Sequence, residues 1–222
     1  MIECINISKV YGKNTIIKDS SFNIKSNKIS FLMGPNGHGK TTLIKCMMDM
    51  EDYEGDFLFN NKSIDNVRKE MLVIWDDCPF YPNLSGLKNL LLFSENKKSK
   101  HQINEIALKF LSNDLLNNKV KTYSYGQKKI LSLVLVEILE PRYLIMDEIS
   151  NGLDYAMIRN TQKLILKWAK RATVLLTGHQ FSFYNEIIDD VFIIKNKEIV
   201  LLVEDFQNSK LKLEDIYDEA II

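Results

Sequence analysis

A glycine-rich segment at residues 34–41 has the composition of a loop that binds phosphate. Its sequence, Gly-Pro-Asn-Gly-His-Gly-Lys-Thr, fits the pattern G-x-x-x-x-G-K-[ST] and stands between a strand pattern and a helix pattern. Its glycines let the backbone fold around an anion, so that N–H groups and a helix N-terminus point at it. Lys40 is expected to neutralise the β and γ phosphates of a nucleotide, and the Thr41 hydroxyl is expected to ligate Mg²⁺. The residues expected to bind nucleotide here are Gly34, Asn36, Gly37, Gly39, Lys40, Thr41 and Thr42.

An apolar run at residues 143–146 ends in two acidic residues, Asp147 and Glu148. The carboxyl end of a strand lies at the usual ligand edge of a parallel sheet, so both side chains are expected beside the phosphate loop. Asp147 is expected to hold Mg²⁺, and Glu148 is expected to polarise an attacking water. Burial and the neighbouring acid are expected to raise the pKa of Glu148, as general-base catalysis requires.

The elements that must position these residues alternate between strand and helix patterns, which predicts an α/β fold with a mostly parallel sheet. Residues 2–24 alternate in hydropathy and predict short antiparallel strands. Residues 76–140 predict a helical lobe inserted into the α/β core. The strand patterns lie at 28–33, 56–59, 71–75, 143–147, 172–177, 191–195 and 198–203, and the helix patterns at 40–50, 86–93, 102–111, 127–139 and 155–169.

The composition excludes several classes of protein. The chain has 222 residues, 29 Lys and Arg against 29 Asp and Glu, and 45% hydrophobic residues, which is typical of a globular domain and not of a disordered chain. The zero net charge argues against a nucleic-acid partner. The three cysteines are odd in number and widely spaced, which does not fit a disulfide framework. No run of about 18 apolar residues predicts a membrane span, and residues 1–20 do not have the pattern of a secretory signal.

A further motif, Tyr-Ser-Tyr-Gly-Gln at residues 123–127, stands at the start of a helix pattern between the phosphate loop and the acidic pair. We call it the signature segment. The strand, phosphate loop, helical lobe, signature segment and acidic strand, in that order, resemble the ATP-binding subunit of an ABC transporter over nearly the whole chain. Residues 150–154 look like the D-loop of that family, His179 looks like its switch histidine, and Tyr11 matches the aromatic residue that stacks on adenine.

The resemblance implies a P-loop NTPase fold with a RecA-like, mostly parallel sheet, an N-terminal antiparallel β subdomain and an inserted helical lobe. It implies a single ATP-binding domain over residues 1–222, with the core at about 1–75 and 141–222 and the lobe at about 76–140. The cofactors would be ATP and Mg²⁺. The partners would be a second ATP-binding subunit, identical or related, and a transmembrane permease at the cytoplasmic face of a bacterial cell membrane.

The resemblance also implies roles for individual residues in a dimer of two subunits that face head to tail. Ser124, Gly126 and Gln127 would contact the γ-phosphate of the ATP that is bound by the partner. Asp154 would reach across the dimer interface. His179 would contact the γ-phosphate and hold the geometry for hydrolysis, as a catalytic residue beside the base.

Two departures from the family pattern bear on hydrolysis. Tyr123 and Tyr125 replace the Leu and the first Gly of the usual Leu-Ser-Gly-Gly-Gln signature, and segments that begin Tyr-Ser-x-Gly look like those of bacterial exporters of peptides, toxins or drugs. Asp76 stands where the family places a Gln that touches Mg²⁺ and the attacking water. We expect Asp76 to ligate Mg²⁺ and to lie near Asp147 and Glu148, where like charges raise pKa values. Slower or differently coupled hydrolysis, with intact ATP binding, is the resulting hypothesis.

The residues leave three other functions open. These are an ABC-type ATPase in a non-transport assembly process, a phosphate-loop kinase with an acceptor other than water, and a hydrolysis-poor partner in a heterodimer. The signature segment argues against the kinase, because such kinases lack it. Glu148 and His179 argue against a complete loss of hydrolysis, whereas Asp76 and Tyr125 argue for a partial loss.

Overall fold

The computed structural model describes residues 1–95 and 97–221, and its strands form two sheets. The strands are β1 (Ile2–Tyr11), β2 (Asn14–Ile24), β3 (Ile29–Met33), β4 (Glu54–Phe59), β5 (Met71–Ile74), β6 (Tyr143–Asp147), β7 (Thr173–Thr177), β8 (Asp190–Lys195) and β9 (Glu198–Val203). The helices are α1 (Lys40–Met47), α2 (Ile64–Val67), α3 (Gly86–Phe93), α4 (Lys100–Ala107), α5 (Asn113–Asn117), α6 (Tyr125–Leu139), α7 (Tyr155–Ala169), α8 (Phe181–Tyr184), α9 (Phe206–Ser209) and α10 (Leu213–Ile221).

The larger sheet has the strand order β5-β6-β7-β3-β8-β9, in which the first five strands are parallel and β9 is antiparallel. Every residue of β3, β6 and β7 is buried, as expected for strands that are covered on both faces. Parallel strands place their carboxyl ends at one edge of the sheet, so the segments that follow β3, β5, β6 and β7 meet there. This edge brings together the phosphate loop, Asp76, Glu148 and His179.

Two hydrophobic clusters cover the larger sheet on opposite faces. Phe31 and Met33 of β3 pack with side chains of α7 and α10, whereas Leu32 packs with α1 and the smaller sheet. This alternation follows the period of two along a β-strand. Trp168 of α7, only 1% exposed, is a large side chain of the first cluster. Packing on both faces therefore holds in place the strand ends that carry the site.

The smaller sheet has the order β2-β1-β4, with antiparallel pairing throughout. The predicted N-terminal antiparallel subdomain is confirmed, but β1 and β2 are 10 and 11 residues long and are not the short strands expected. Asn6 and Asp19 have φ values of 52° and 39° at shifts in the β1–β2 register. Such bulges interrupt the alternation of side chains, which makes a long strand look like several short ones in the sequence.

Helices α3 to α6 lie between β5 and β6 in the chain and pack around a cluster of their own. Leu90, Leu116 and Leu131 are fully buried in this cluster. The predicted α/β fold with a mostly parallel sheet and an inserted helical lobe is therefore confirmed, whereas the lobe boundaries at about 76 and 140 stay a prediction. Within the described residues, no helix combines the length and the apolarity that crossing a membrane requires.

Candidate functional site

An open cavity of about 860 Å³ lies at the carboxyl edge of the larger sheet. The segments that line it follow four different strands, so the strand order brings together residues that are far apart in the sequence. The predicted site residues in its lining are Asn36, Gly37, Gly39, Lys40, Thr41, Thr42, Asp76, Asp147, Glu148 and His179.

The phosphate loop connects β3 to α1 and takes left-handed backbone conformations at its glycines. The φ angle is 78° at Gly37 and 104° at Gly39, and such conformations cost L-residues with a side chain about 1 to 2 kcal/mol. At Gly39, a Cβ would also lie 2.7 Å from Ile16 Cγ2, well inside van der Waals contact. Helix α1 begins at Lys40, and the unpaired N–H groups of a helix N-terminus favour an anion there.

Lys40 is folded over the phosphate loop. Its Nζ donates hydrogen bonds to the carbonyl oxygens of Gly34 at 2.6 Å and of Pro35 at 3.3 Å, and it lies 3.3 Å from His179 Nε2. Burial lowers the pKa of Lys40, while two nearby carboxylates act in the opposite direction. The ammonium is thus held at the loop, where a phosphate would meet it.

Asp147 ends β6 and is almost fully buried. Its carboxylate accepts one hydrogen bond from Thr41 Oγ1, at 2.9 Å, and another from Thr177 Oγ1. A hydroxyl and a carboxylate in contact beside a phosphate loop are hard oxygen donors, the kind that Mg²⁺ takes from a protein while water and phosphate supply its other ligands. Thr41 and Asp147 therefore fit a magnesium site.

Glu148 follows β6 with a left-handed backbone, at a φ of 53°. Its N–H donates to the Thr177 carbonyl at 3.1 Å, and its Oε1 lies 3.2 Å from His179 Nε2. Its Oε2 is buried and has no hydrogen-bond partner among the described residues. Burial raises the pKa of Glu148 against the attraction of Lys40, and two neighbouring carboxylates add to the rise, as expected. Burial lowers the pKa of His179, and Lys40 acts in the same direction.

Asp76 lines the same cavity, but its carboxylate already has partners within the chain. Its Oδ1 accepts hydrogen bonds from Tyr125 Oη, from Lys129 Nζ at 3.2 Å and from Asn151 Nδ2 at 3.2 Å. Burial alone would raise the pKa of Asp76, but these donors and the charge of Lys129 outweigh it, so the pKa is lowered. The expectation that like charges raise the pKa of Asp76 is therefore wrong, because the hydrogen bond from Tyr125 and the charge of Lys129 stabilise its carboxylate. Its role as a ligand of Mg²⁺ stays a prediction.

Lys129 and Asn151 both contact Asp76, but the sequence-based predictions give no role to Lys129 and no role to Asn151 beyond its place in the D-loop at 150–154. Lys129 lies on α6 in line with Gly126 and Leu133, at spacings of three and four residues that mark the buried face of a helix. A lysine on that face needs a partner, and this requirement is a signal that the sequence contains. The contact between Asn151 and Asp76 has no comparable signal, because the two residues are 75 positions apart in the sequence.

The signature segment begins α6 and lies outside the lining of the cavity. Ser124 Oγ accepts a hydrogen bond from the Gln127 N–H at 3.2 Å, and Gln127 Oε1 accepts one from the Ser124 N–H at 2.8 Å, which together form a capping box. At Gly126, a Cβ would lie 2.7 Å from the carbonyl oxygen of Gly152. The structure therefore does not bring the signature segment to the phosphate loop of the same chain.

Tyr11 and Asp154 also lie outside the lining of the cavity. Tyr11 ends β1 with 43% of its side chain exposed, and Lys9 Nζ lies 4.3 Å from the centre of its ring. Asp154 is the N-cap of α7 and accepts a hydrogen bond from the Met157 N–H at 2.8 Å. Their expected contacts with adenine and with a partner subunit stay predictions.

A mostly parallel sheet whose carboxyl edge carries a phosphate loop, a buried aspartate and a glutamate defines a phosphate-loop nucleotide-binding protein. Residues 17–151 match the protein family described as "ABC transporter", and the chain belongs to that family. It is accordingly an ATP-binding protein and an ATPase of the ABC type.

Named relatives include ATP-binding proteins of transporters, one of them named for import. The "Uncharacterized ABC transporter ATP-binding protein YhcH" of Bacillus subtilis is 33% identical over 95% of this chain and 70% of its own length. The "Lantibiotic transport ATP-binding protein SrtF" of Streptococcus pyogenes is 28% identical over 100% of this chain and 98% of its own. The "Methionine import ATP-binding protein MetN" of Clostridium tetani is also 28% identical, over 90% of this chain and 68% of its own.

Solved structures agree with the fold. One described as "Structure of ATP binding subunit of ABC transporter" has a TM-score of 0.87 at 22% identity, with all of both chains covered. The cassette MJ0796 was solved as a dimer bound to ADP and Pi and has a TM-score of 0.78 at 20% identity, with 90% of this chain and 96% of the other covered. At these identities the likeness shows the fold alone.

Proposed function

We propose that this chain hydrolyses ATP as one half of a dimer that powers an ABC transporter, and that ATP closes the dimer. The observation that carries the proposal is the separation of two groups of predicted nucleotide ligands. Lys40, Asp147 and Glu148 line the cavity, whereas Ser124 and Gly126 lie outside it. A symmetric pair of chains can complete both sites, because each chain offers the surface that the other lacks.

Magnesium would be held by Thr41 and Asp147, with Asp76 as the predicted further ligand. When bound there, Mg²⁺ would neutralise charge on the β and γ phosphates. The chain itself would bind the same phosphates through Lys40 and the N–H groups of the phosphate loop, and Tyr11 would stack on adenine.

Glu148 is the proposed general base. Its Oε2 has no partner among the described residues, and its raised pKa favours uptake of a proton from water. The water oxygen would attack the γ-phosphorus, the bond to the bridging oxygen would break, and ADP would leave with that oxygen. His179, 3.2 Å from Glu148 Oε1, would contact the γ-phosphate and hold this geometry.

ATP binding would favour the closed dimer, and hydrolysis followed by phosphate release would favour the open one. A ligand shifts such an equilibrium only by its difference in affinity for the two states, so ATP must bind the closed dimer more tightly. In the closed dimer, Ser124, Gly126 and Gln127 would contact the γ-phosphate on the partner, and Asp154 would cross the interface. These added contacts supply the difference in affinity.

We propose export as the direction of transport, across a bacterial cell membrane, with this chain bound to a separate permease at the cytoplasmic face. The Tyr-Ser-x-Gly start of the signature segment supports export, because it looks like that of bacterial exporters. SrtF, which is matched over nearly both full lengths, is named for lantibiotic transport. MetN, which is also 28% identical to this chain, is named for import, so an experiment must decide the direction of transport.

Capture of the tagged chain from solubilised native membranes tests for a permease. ATP-driven uptake into inside-out vesicles would support export. Capture without any membrane protein would contradict the proposal and favour an assembly ATPase.

The test of the dimer is the ATPase rate against protein concentration, for wild type and for Glu148→Gln. We expect a rate per chain that rises with concentration, a loss of at least about 100-fold in Glu148→Gln because the base is removed, and a loss of rate on chelation of Mg²⁺. A rate per chain that is independent of concentration would contradict composite sites.

A hydrolysis-poor partner in a heterodimer is the second candidate function, and the internal contacts of Asp76 favour it. A near-zero rate with ATP still bound would support it.

A further inference from the structure

Lys129 is a buried charged side chain between the two loops that carry the acidic residues of the site. Its side chain is 0% exposed, and its Nζ lies 3.2 Å from Asp76 Oδ1, 3.2 Å from the Glu148 carbonyl oxygen and 3.5 Å from the Trp75 carbonyl oxygen. An ammonium has three N–H donors, so these acceptors use all of them. One side chain of α6 thus ties the end of β5 to the end of β6.

The ion pair of Lys129 and Asp76 is expected to fix the geometry of the site more than to stabilise the fold. Desolvation of a buried ion pair often offsets its Coulombic attraction, so such a pair is weak evidence of stabilisation. Removal of a single partner is different, because it leaves the other charge without compensation. Asp76 and Lys129 are therefore expected to tolerate a joint replacement better than either single replacement.

Glu148 is the residue whose geometry depends on Lys129. Its φ of 53° is a left-handed conformation, which a residue with a side chain keeps only where its surroundings hold it. Its N–H donates to the Thr177 carbonyl at 3.1 Å, and its carbonyl accepts from Lys129 Nζ at 3.2 Å. Lys129 therefore contributes to the backbone contacts that orient the Glu148 carboxyl in the cavity.

Asp76 connects the same unit to the signature segment. Tyr125 Oη donates to the Asp76 carboxylate and lies 2.6 Å from the Asp76 carbonyl oxygen. Lys129 Nζ lies 5.3 Å from the centre of the Tyr125 ring, within the range of a cation–π contact. Two residues that look like separate departures in the sequence, Asp76 and Tyr125, are thus hydrogen-bonded to each other and share Lys129.

We propose that Lys129 is a positioning residue for ATP hydrolysis, which acts through Asp76 and the backbone of Glu148, and that Asp76 and Lys129 work as a matched pair. The inference rests on the proposed function of Glu148 as the base. In this pair, the Asp76 carboxylate holds the Lys129 ammonium in place, and Lys129 compensates the charge of Asp76.

The experiment is steady-state ATPase kinetics of wild type, Lys129→Gln, Asp76→Gln and the double variant Asp76→Gln/Lys129→Gln. We expect each single variant to lower kcat about tenfold or more and to change KM for ATP less than about threefold, because Lys40 and the backbone of the phosphate loop, which bind the phosphates, are untouched. We expect the double variant to recover kcat to within about threefold of wild type, since two neutral amides can hydrogen-bond to each other. Lys128→Gln removes a neighbouring lysine of α6 and is the matched control, with wild-type kinetics expected.

The rescue separates a matched pair from a simple metal ligand. If Asp76 acted on Mg²⁺ alone, Asp76→Gln would raise the Mg²⁺ concentration needed for half-maximal rate, and Lys129→Gln would not restore it. That result, or additive losses in the double variant, would overturn the pairing. Asp76 is 45% exposed and Lys129 is fully buried, so Lys129→Gln leaves a carboxylate that water can solvate, whereas Asp76→Gln leaves a buried ammonium. Lys129→Gln therefore keeps the test open where Asp76→Gln does not fold.

Failure of this inference is distinguishable from failure of the proposed function. If the wild type turns over ATP and Lys129→Gln has the same kcat as Lys128→Gln, the positioning role of Lys129 is overturned and the proposed function is not. Absence of turnover in the wild-type dimer would overturn the proposed function, and with it the positioning role that rests on it.

Discussion

At the scale of single residues, Gly39 has a steric constraint that Gly12 does not share. Both have positive φ angles, 104° and 58°, but only at Gly39 does an added Cβ meet a neighbour, Ile16 Cγ2 at 2.7 Å. We expect Gly12→Ala to lower the free energy of unfolding by about 1 kcal/mol through backbone strain. We expect Gly39→Ala to lower it by about 1 to 3 kcal/mol more, because strand β2 must shift as well. Urea denaturation measures both, and equal losses would contradict the steric argument.

The residues of the site differ in how much of their environment a sequence pattern can predict. Lys40, Thr41, Asp147 and Glu148 stand in motifs whose spacing is local, so the strand order alone brings them to one cavity. The partner of Asp76 is 53 residues away on α6, and no local pattern pairs two residues at that distance. The sequence therefore predicted a charged residue at position 76, but not that Lys129 compensates the charge of Asp76.

At the scale of secondary-structure elements, α6 and α4 begin with the same capping box. Ser124 pairs with Gln127 and Ser99 pairs with Gln102, each through its Oγ and the amide side chain. We expect Ser124→Ala and Ser99→Ala each to lower the free energy of unfolding by about 1 kcal/mol, the usual value of an N-cap. We expect only Ser124→Ala to lower the ATPase rate, by about tenfold or more, because Ser124 is also the proposed ligand of the partner's γ-phosphate.

Chemical denaturation and ATPase rates of the two serine variants separate these roles. Wild-type rates in both variants would contradict a nucleotide contact at Ser124. A loss of rate in Ser99→Ala as large as in Ser124→Ala would instead attribute the effect to the general stability of the helical lobe.

Helices long enough to show a period were predictable, and the shortest helices were not. The predicted helices 86–93 and 155–169 have the bounds of α3 and α7. Helix α5, Asn113–Asn117, was missed because its five residues are too few to show a helical period. The pattern at 127–139 starts late because the first turn of α6 contains Tyr125 and Gly126, whose helical start depends on the cap at Ser124.

At the scale of the whole molecule, composite sites predict complementation between inactive chains. Lys40→Ala breaks the phosphate loop, and Ser124→Ala breaks the contact that the same chain offers to its partner. In a mixed dimer, the Lys40 of one chain and the Ser124 of the other form an intact site. We expect a 1:1 mixture to recover about a quarter of the wild-type rate, because half of the dimers are mixed and half of their sites are intact.

The ATPase rate of the mixture, compared with each variant alone at equal total protein, measures this recovery. A mixture of Lys40→Ala with Glu148→Gln is the control. Each change breaks the cavity of the chain that carries it, so a mixed dimer of these two variants contains no intact site. A rate in the first mixture equal to the average of its two components would contradict sites that are shared between chains.

The two tryptophans of the chain lie in contrasting surroundings. Trp75 lines the cavity, and its carbonyl oxygen is the third acceptor of Lys129, whereas Trp168 is sealed in the core beside the sheet. Indole emission depends on the polarity around the ring, so we expect a nucleotide in the cavity to change the emission of Trp75 and to leave that of the buried Trp168 unchanged. The position of Trp75 therefore offers an optical reporter of the cavity that needs no attached dye.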